Sequence, residues 1–489
     1  MSTSMSESAA ESLPPPSTIA LPPEAAGADG GLWDSILEGL RGSHRDFTQG
    51  SVSRAILVLA IPMVLEMVME SVFAVCDVFF VSKLGASAVA TVGLTESWLT
   101  LIYAIALGLA IAATATVARR TGERDREGAA RAATQAIVLS VAIAAIIGLA
   151  GAILAPHALS VMGASSDVIA TGTGYARIML GGNVTIVMLF LINAIFRGAG
   201  DAAIAMRVLW LANAINILLG PCLIFGLGPF PRLGVAGAAI ATNIGRGTGA
   251  LFAFSRLLKP GSRIDIHLRH LRIEPAILKR LAQLAWSAAG QFLIGMGSWI
   301  VYVRILSSFG SSVIAGYTIG VRVILFALLP ASGLANAAAT MVGQALGAKK
   351  PERAEQAVML AGTYNMAVLS VVGLLLGIFA PQIARGFTSD ASVIPYASAF
   401  LRTVAWGFPL YGWGMVLGQS FNGAGDTRTP TWINFLVFWC WEIPLAYVVG
   451  VWMGFGPRGT FVAVTVAFCT YALAAAWAFR RGSWKLRSV

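Results

Sequence analysis

Phe196-Arg-Gly-Ala-Gly-Asp201 recurs as Phe421-Asn-Gly-Ala-Gly-Asp426, and this separation of 225 positions (421 minus 196) decides how the chain is read. The same offset, with no gap, carries Leu59-Ala60 onto Leu284-Ala285, Gly85 onto Gly310, and Gly108-Leu-Ala onto Gly333-Leu-Ala. It also carries Gly122 onto Gly347, Glu127 onto Glu352, Ala155-Pro156 onto Ala380-Pro381, Arg177 onto Arg402 and Gly234 onto Gly459. Chance does not hold one register over most of a chain, so the protein is a tandem repeat of a single unit.

The solvent of that unit follows from composition. Hydrophobic residues make up 57% of the 489-residue chain and charged residues 12%, against about 25% charged in soluble proteins. At roughly 20 apolar residues per crossing, the length holds about twelve membrane spans. They are expected near 55–82, 90–118, 131–155, 169–196, 203–226 and 234–256, then 281–306, 312–344, 355–380, 394–421, 430–453 and 459–479. An even number of spans per repeat makes the copies parallel. They are then related by a pseudo-twofold axis along the membrane normal, with a central cleft between two six-helix lobes. The expected fold class is therefore an all-α membrane protein.

The net charge of +11 does not form one continuous basic surface, which argues against nucleic acid. Arg119, Arg120, Arg124, Arg126, the Arg-rich stretch 256–280, Lys349, Lys350, Arg353, Arg480, Arg481, Lys485 and Arg487 fall on one side of the predicted topology. By the positive-inside rule that side is cytoplasmic, with both termini there, in a multi-pass protein of the cell (inner) membrane. Domain boundaries are placed at 1–50 (polar, largely disordered, with a short amphipathic turn at 32–40), 51–256 (N-lobe), 257–280 (linker), 281–480 (C-lobe) and 481–489 (basic tail). His267 and His270 in the linker read as solvated, since no further ligand stands at metal spacing. Cys76, Cys222, Cys440 and Cys469 read as small core residues. No metal or cofactor is expected beyond a coupling ion.

A carboxylate inside a bilayer costs on the order of 2.5–3.5 kcal/mol on insertion scales, so intramembrane acids are functional candidates. Glu66, Glu70 and Asp77 stand at i, i+4 and i+11 on the first span, within about 40° of one another around the helix. Either they bind a coupling ion, or they pair with Arg246, Arg304 or Arg322 and hold helices together. Glu96 reads as interfacial, and Glu442 fits either role. Pro62, one turn before Glu66, breaks a backbone hydrogen bond and marks a candidate hinge.

The repeats are chemically unequal. The predicted spans 281–306 and 394–421 hold no acid, while ten of the thirteen Trp fall between Trp286 and Trp484. An acidic first lobe suits the coupling ion, and aromatic side chains of the second suit an organic cation. Glu70, Phe73, Asn183, Asn193, Trp406, Trp413 and Trp441 are the candidate substrate-lining residues; interfacial Trp belts are the plainer reading of most of the Trp.

Leu59-Ala-Ile-Pro62, Asp77-Val-Phe-Phe-Val-Ser-Lys-Leu-Gly85, the twin Phe-x-Gly-Ala-Gly-Asp stretches and Gly234-Val-Ala-Gly-Ala-Ala-Ile-Ala-Thr242 together resemble the multidrug and toxic compound extrusion (MATE) transporters over about residues 46–480. The resemblance implies two six-helix lobes and export of small, mostly cationic compounds in exchange for protons or sodium ions. Asp77 matches the coupling aspartate of the first span, and Pro62 the proline that bends it. Asn216 matches the asparagine of the family's Asn-x-x-x-Asp-Pro motif. This chain reads Asn216-Ile-Leu-Leu-Gly220-Pro221, so that motif's aspartate is a glycine. The acid-free spans in the second half bring the chain closer to the DinF-like than to the NorM-like branch. The lost oxygen ligand weighs against sodium.

The expected function is thus an antiporter, working as a monomer by alternating access, with a lipid-linked sugar flippase of the same superfamily as the alternative. No His-Glu-x-x-His, Gly-x-Ser-x-Gly or Gly-x-x-x-x-Gly-Lys stretch points to an enzyme.

Overall fold

The structure is a computed structural model that describes residues 31–43, 45–259 and 261–487. Among the described residues the regular secondary structure is all helical, with no strand. A short helix α1 (Leu32–Arg41) precedes α2 (Val52–Ser82), α3 (Ala86–Gly122), α4 (Arg126–Val161), α5 (Ser166–Gly181), α6 (Asn183–Gly198), α7 (Ala202–Phe225) and α8 (Val235–Leu257). The second half repeats the order as α9 (Pro275–Leu306), α10 (Ser311–Gly347), α11 (Pro351–Phe387), α12 (Ile394–Ala405) and α13 (Phe408–Gly423). It ends with α14 (Arg428–Asn434), a π-helical stretch Phe435–Glu442, α15 (Ile443–Tyr447), a second π-helical stretch Val448–Trp452, and α16 (Gly456–Arg480).

Among the described residues ten helical segments are long and apolar enough to cross a membrane. The expected span at 169–196 is broken at Gly182, between α5 and α6, and the expected span at 394–421 is broken at Trp406-Gly407. Gly182 and Gly407 are themselves 225 positions apart, so the break belongs to the repeated unit.

The twin Phe-x-Gly-Ala-Gly-Asp stretches are a stop-and-restart device. Gly200 takes φ +84° and Gly425 φ +83°, conformations that favour glycine. This lets Asp201 N donate to the Phe196 carbonyl at 2.8 Å, and Asp426 N to the Phe421 carbonyl at 2.9 Å, closing α6 and α13. The same aspartates then cap the next helix, Asp201 accepting from Ile204 N and Asp426 from Thr429 N.

The halves exchange contacts in matched pairs. The first turns of α2 bury Ile56, Leu59 and Met63 with Ala338 and Met341 of α10, while the first turns of α9 bury Leu281 and Ala285 with the core of the first half. The C-terminal ends of α3 and α10 cross at Gly122 and Gly347. A Cβ at Gly122 would strike the Gln344 carbonyl oxygen, and one at Gly347 the Arg119 carbonyl oxygen. Residues 119 and 344 again differ by 225, so backbone meets backbone symmetrically and this end of the molecule is closed.

The segment before α2 straps the closed end, so folded chain begins earlier than the expected boundary at residue 51; residues 1–30 of that polar segment lie outside the described residues. Arg353 of α11 donates to the carbonyls of Phe47, Gln49 and Gly50 at 2.7–2.9 Å, and Lys350 to that of Thr48 at 2.9 Å. Arg263 of the linker holds the Arg45 and Ala199 carbonyls at 2.9 and 2.8 Å, and Arg124 pairs with Asp46 at 2.9 Å. Asp46 is opposed by its own burial but receives hydrogen bonds from the side chain and backbone of Thr48 and from Arg124, which hold its carboxyl below the usual range.

His270 corrects the sequence reading. It is buried, 3% exposed, with Nε2 at 2.9 Å from Glu127 Oε1, while His267 is exposed. The linker is pinned further by Gln135, which donates to the Arg272 carbonyl at 2.8 Å. The tail is docked as well. Trp484 is fully buried and stacks on Phe479 at 4.7 Å, and Lys485 pairs with Glu355 at 2.5 Å.

Candidate functional site

Helix α2 carries all three first-span acids, and the structure gives each a different setting. Glu66 is 1% exposed and pairs with Arg197 of α6 at 2.7 Å, with Asn193 Nδ2 adding a 3.3 Å hydrogen bond. Arg197 was not singled out from the sequence as a partner. Glu70 is half-buried, paired with Arg246 of α8 at 3.2 Å and with Asn213 Nδ2 of α7 at 3.0 Å. The Arg246 guanidinium lies against three rings, Phe73, Tyr103 and Phe190, at 5.3, 5.7 and 5.7 Å. Such cation–π contacts favour a fixed charge where water is scarce. Asp77 is half-buried, has Arg246 and Glu96 as charged neighbours, and makes no hydrogen bond or ion pair among the described residues.

Pro62 is buried within α2, where it removes one backbone hydrogen bond. Helix α1 covers this notch. A Cβ at Gly39 would lie 3.0 Å from the Val58 carbonyl oxygen and 3.4 Å from Pro62 Cδ.

Between the halves lies a cavity of about 370 Å³. Its lining comes from both repeats at matched positions, Met67 with Phe292, Ile111 with Asn336, and Arg197 with Asn422, each pair 225 apart. Glu70 and Tyr103 also face it. The Glu66–Arg197 pair has a neutral counterpart, because the offset maps Glu66 to Gln291 and Arg197 to Asn422. Gln291 Nε2 donates to Asn422 Oδ1 at 3.0 Å, and Asn422 Nδ2 returns a bond to Gln291 Oε1 at 3.2 Å. One interaction, charged in the first half and uncharged in the second, thus flanks the cavity on both sides. Both residue pairs were legible as polar positions recurring at the repeat offset.

The remaining sequence candidates stand elsewhere. Asn216 donates to Thr242 Oγ1 at 2.8 Å, and a Cβ at Gly220 would meet only its Oδ1, at 4.0 Å. The place of the family's aspartate is therefore open. Asn183 is buried at the α5–α6 break and donates to the Leu180 carbonyl at 2.7 Å. Trp413 packs its indole over Gly362, while Trp406 and Trp441 are 83% and 46% exposed on the outer surface. Of the candidate substrate-lining residues, Glu70 is the one that borders the cavity in this conformation.

The MatE family model matches residues 62–222 and 287–448, one match in each half. Similar proteins include the probable multidrug resistance protein YoeA of Bacillus subtilis, 25% identical over 418 residues, covering 83% of this chain and 90% of that one. The FAD transporter of Shewanella oneidensis is 26% identical over 413 residues, covering 82% and 89%. Among solved structures, a MOP-superfamily transporter from Pyrococcus furiosus, described as having a binding pocket of reversed polarity, aligns with a TM-score of 0.85 at 27% identity, covering 90% of this chain and 98% of that one. A multidrug resistance MATE transporter in an outward-facing conformation aligns with a TM-score of 0.84 at 27% identity, covering 92% and 99%. With both halves matched and the fold shared over nine-tenths of the chain, this protein belongs to the MatE family of multi-pass membrane transporters, and it is not an enzyme.

Proposed function

We propose that the chain is a secondary active multidrug antiporter, exporting small, mostly cationic organic compounds in exchange for protons. It works as a monomer of two six-helix lobes that rock about a pseudo-twofold axis. The observation that carries this reading is the contrast along α2. Glu66 is committed to Arg197, Glu70 shares Arg246 at the cavity wall, and Asp77 is left without a hydrogen bond or ion pair among the described residues. A half-buried acid with no fixed partner is the group free to take up and release an ion. A bound organic cation competes with Arg246 for Glu70, linking occupancy of the cavity to the electrostatics around Asp77.

Protons are favoured over sodium because Gly220 supplies no carboxylate beside Asn216, which leaves a poor oxygen cage for a hard cation. The acid-free α9 and α12–α13 favour the DinF-like arrangement, with coupling in the first lobe. The closed end carries Arg119, Arg120, Arg124, Lys349 and Lys350, so the positive-inside rule assigns it to the cytoplasm of the inner membrane and the cavity to the opposite side. The flippase alternative calls for a basic cavity. Arg197 is the one basic residue lining it among the described residues, and Glu66 neutralises its charge.

The deciding test uses purified protein in liposomes with an imposed pH or sodium gradient and a fluorescent organic cation. A pH gradient alone should drive uptake, and Asp77→Asn should abolish that drive while leaving cation binding measurable. Unchanged pH-driven transport in both Asp77→Asn and Glu70→Gln overturns the reading, and transport that requires a lipid-linked sugar establishes the flippase instead.

A further inference from the structure

We propose that the second half carries a binding site for an anionic phospholipid at the closed end of the molecule, where Lys279 of α9, Arg428 of α14 and Arg487 of the tail take the headgroup phosphate. A cavity of about 490 Å³ lies there, and its lining also holds Gln283 and Asp426. Lys279 and Arg428 are exposed and enter no hydrogen bond or ion pair among the described residues. Arg280 borders the cavity too but is already engaged. Among the described residues Asp426 is the one acid of the lining. It accepts from Thr429 Oγ1 at 2.7 Å and lies 3.6 Å from Arg487, so it offsets one of four basic charges.

The first half shows what this face of the repeated unit receives. The offset of 225 carries Arg54, Val58, Asp201 and Ala203 onto Lys279, Gln283, Asp426 and Arg428. Over the first set of positions lies helix α1. Glu38 pairs with Arg54 at 2.9 Å, and a Cβ at Gly39 would lie 3.0 Å from the Val58 carbonyl oxygen. A Cβ at Gly42 would lie 3.6 Å from Ala203 Cβ and 3.8 Å from Asp201 Oδ1. Arg207 of α7 donates to the Leu40 and Arg41 carbonyls at 2.8 and 2.9 Å. The face thus takes an amphipathic element whose carboxylate meets the base at position 54. In the second half no described segment covers the equivalent face. The base is kept as Lys279, and Arg428 stands where the first half has Ala203, adding a second cation.

The occupant is amphiphilic, because the basic cavity continues into an apolar groove. A second cavity of about 470 Å³ shares Arg428 and Arg487 with the first and runs past Trp432, Leu436 and Trp477. These three are 63%, 54% and 60% exposed on segments apolar enough to cross a membrane, so they face acyl chains. Arg481, which also lines this groove, holds its guanidinium 3.5 Å from the Trp477 ring centre. Charge-assisted hydrogen bonds from guanidinium and ammonium groups hold a phosphate, and basic pockets between helices on the cytoplasmic side select anionic headgroups. A bound lipid ties α9, α14 and the tail together as α1 ties α2 to α7.

The test needs no transport. The purified full-length chain is melted in detergent, at matched ionic strength, with dioleoyl phosphatidylglycerol, dioleoyl phosphatidylcholine, inorganic phosphate or a polyglutamate peptide in turn. Phosphatidylglycerol should raise the melting temperature to saturation, as linkage to a folded-state site requires, and the other three should leave it unmoved. Lys279→Gln with Arg428→Gln should weaken the apparent affinity for phosphatidylglycerol about tenfold or more, as loss of charge-assisted contacts predicts. The lipid-free melting temperature should hold, because both side chains are exposed. Trp432→Ala should weaken the same binding through the groove. Lys259→Gln with Arg272→Gln removes two charges from the linker and should leave it intact. An equal shift with phosphatidylcholine or with phosphate overturns the proposal, and so does equal weakening in the two double variants. An equal shift with polyglutamate overturns it in favour of an acidic protein segment.

Discussion

Glu66 and Arg197 meet at 2.7 Å inside the first half, at the positions where the second half joins Gln291 to Asn422. The ion pair is nearly excluded from water, with side-chain exposures of 2% and 10%. Removing one member of such a pair strands a buried charge, at about 3–5 kcal/mol. Arg197→Ala is expected to lower thermal stability in detergent by that amount. Glu66→Gln combined with Arg197→Asn, which copies the second half, should return close to the parent value, and a double-mutant cycle on melting curves checks the pair.

Gly220 leaves room beside Asn216, since a Cβ there meets only the Asn216 Oδ1 at 4.0 Å. Gly220→Asp should therefore fold and add a carboxylate oxygen to that site. Sodium is expected to raise its melting temperature with increasing concentration, as ligand linkage requires, and to leave the parent unaffected. The measurement is a melting series at constant ionic strength.

The crossing of α3 and α10 tolerates no side chain at Gly122 or Gly347. Overpacking of this kind costs about 1–3 kcal/mol, and here the cost falls on the closed state alone. Gly122→Leu should shift the population by about 5- to 150-fold toward a molecule open at that end. Spin labels on the loops after α3 and α10 should report a longer separation, and transport should fall while the protein still melts cooperatively.

Asp46 ties the strap to Arg124 of the first half and to the strap's own Thr48. Because its folded carboxyl is held below the ordinary range, the stability it contributes is complete above that range and disappears as pH falls through the lowered value. Protease cleavage between residues 42 and 51 should stay slow from neutral pH down to the ordinary carboxylate range and rise below it. Asp46→Asn should give faster cleavage at neutral pH and flatten this dependence.

The repeat offset, the apolar runs and the acids of α2 were all legible in the chain, because each is a property of residue type and spacing. The offset also aligns Glu66 with Gln291 and Arg197 with Asn422, polar positions whose pairing across helices the spacing does not state. Other features depend on side chains that lie far apart in sequence. The strap at 43–50, held by Arg263 and Arg353, and the burial of His270 against Glu127 were hidden behind a polar composition that reads as solvated.

By itself the sequence determined the solvent, the duplicated helical unit and the family, since hydropathy and periodicity are local and repeat along the chain. Only the tertiary structure decided which acids are paired. A carboxylate's freedom depends on whether a guanidinium from another helix lies within about 4 Å, and that distance separates Glu66 and Glu70 from Asp77 on one and the same helix.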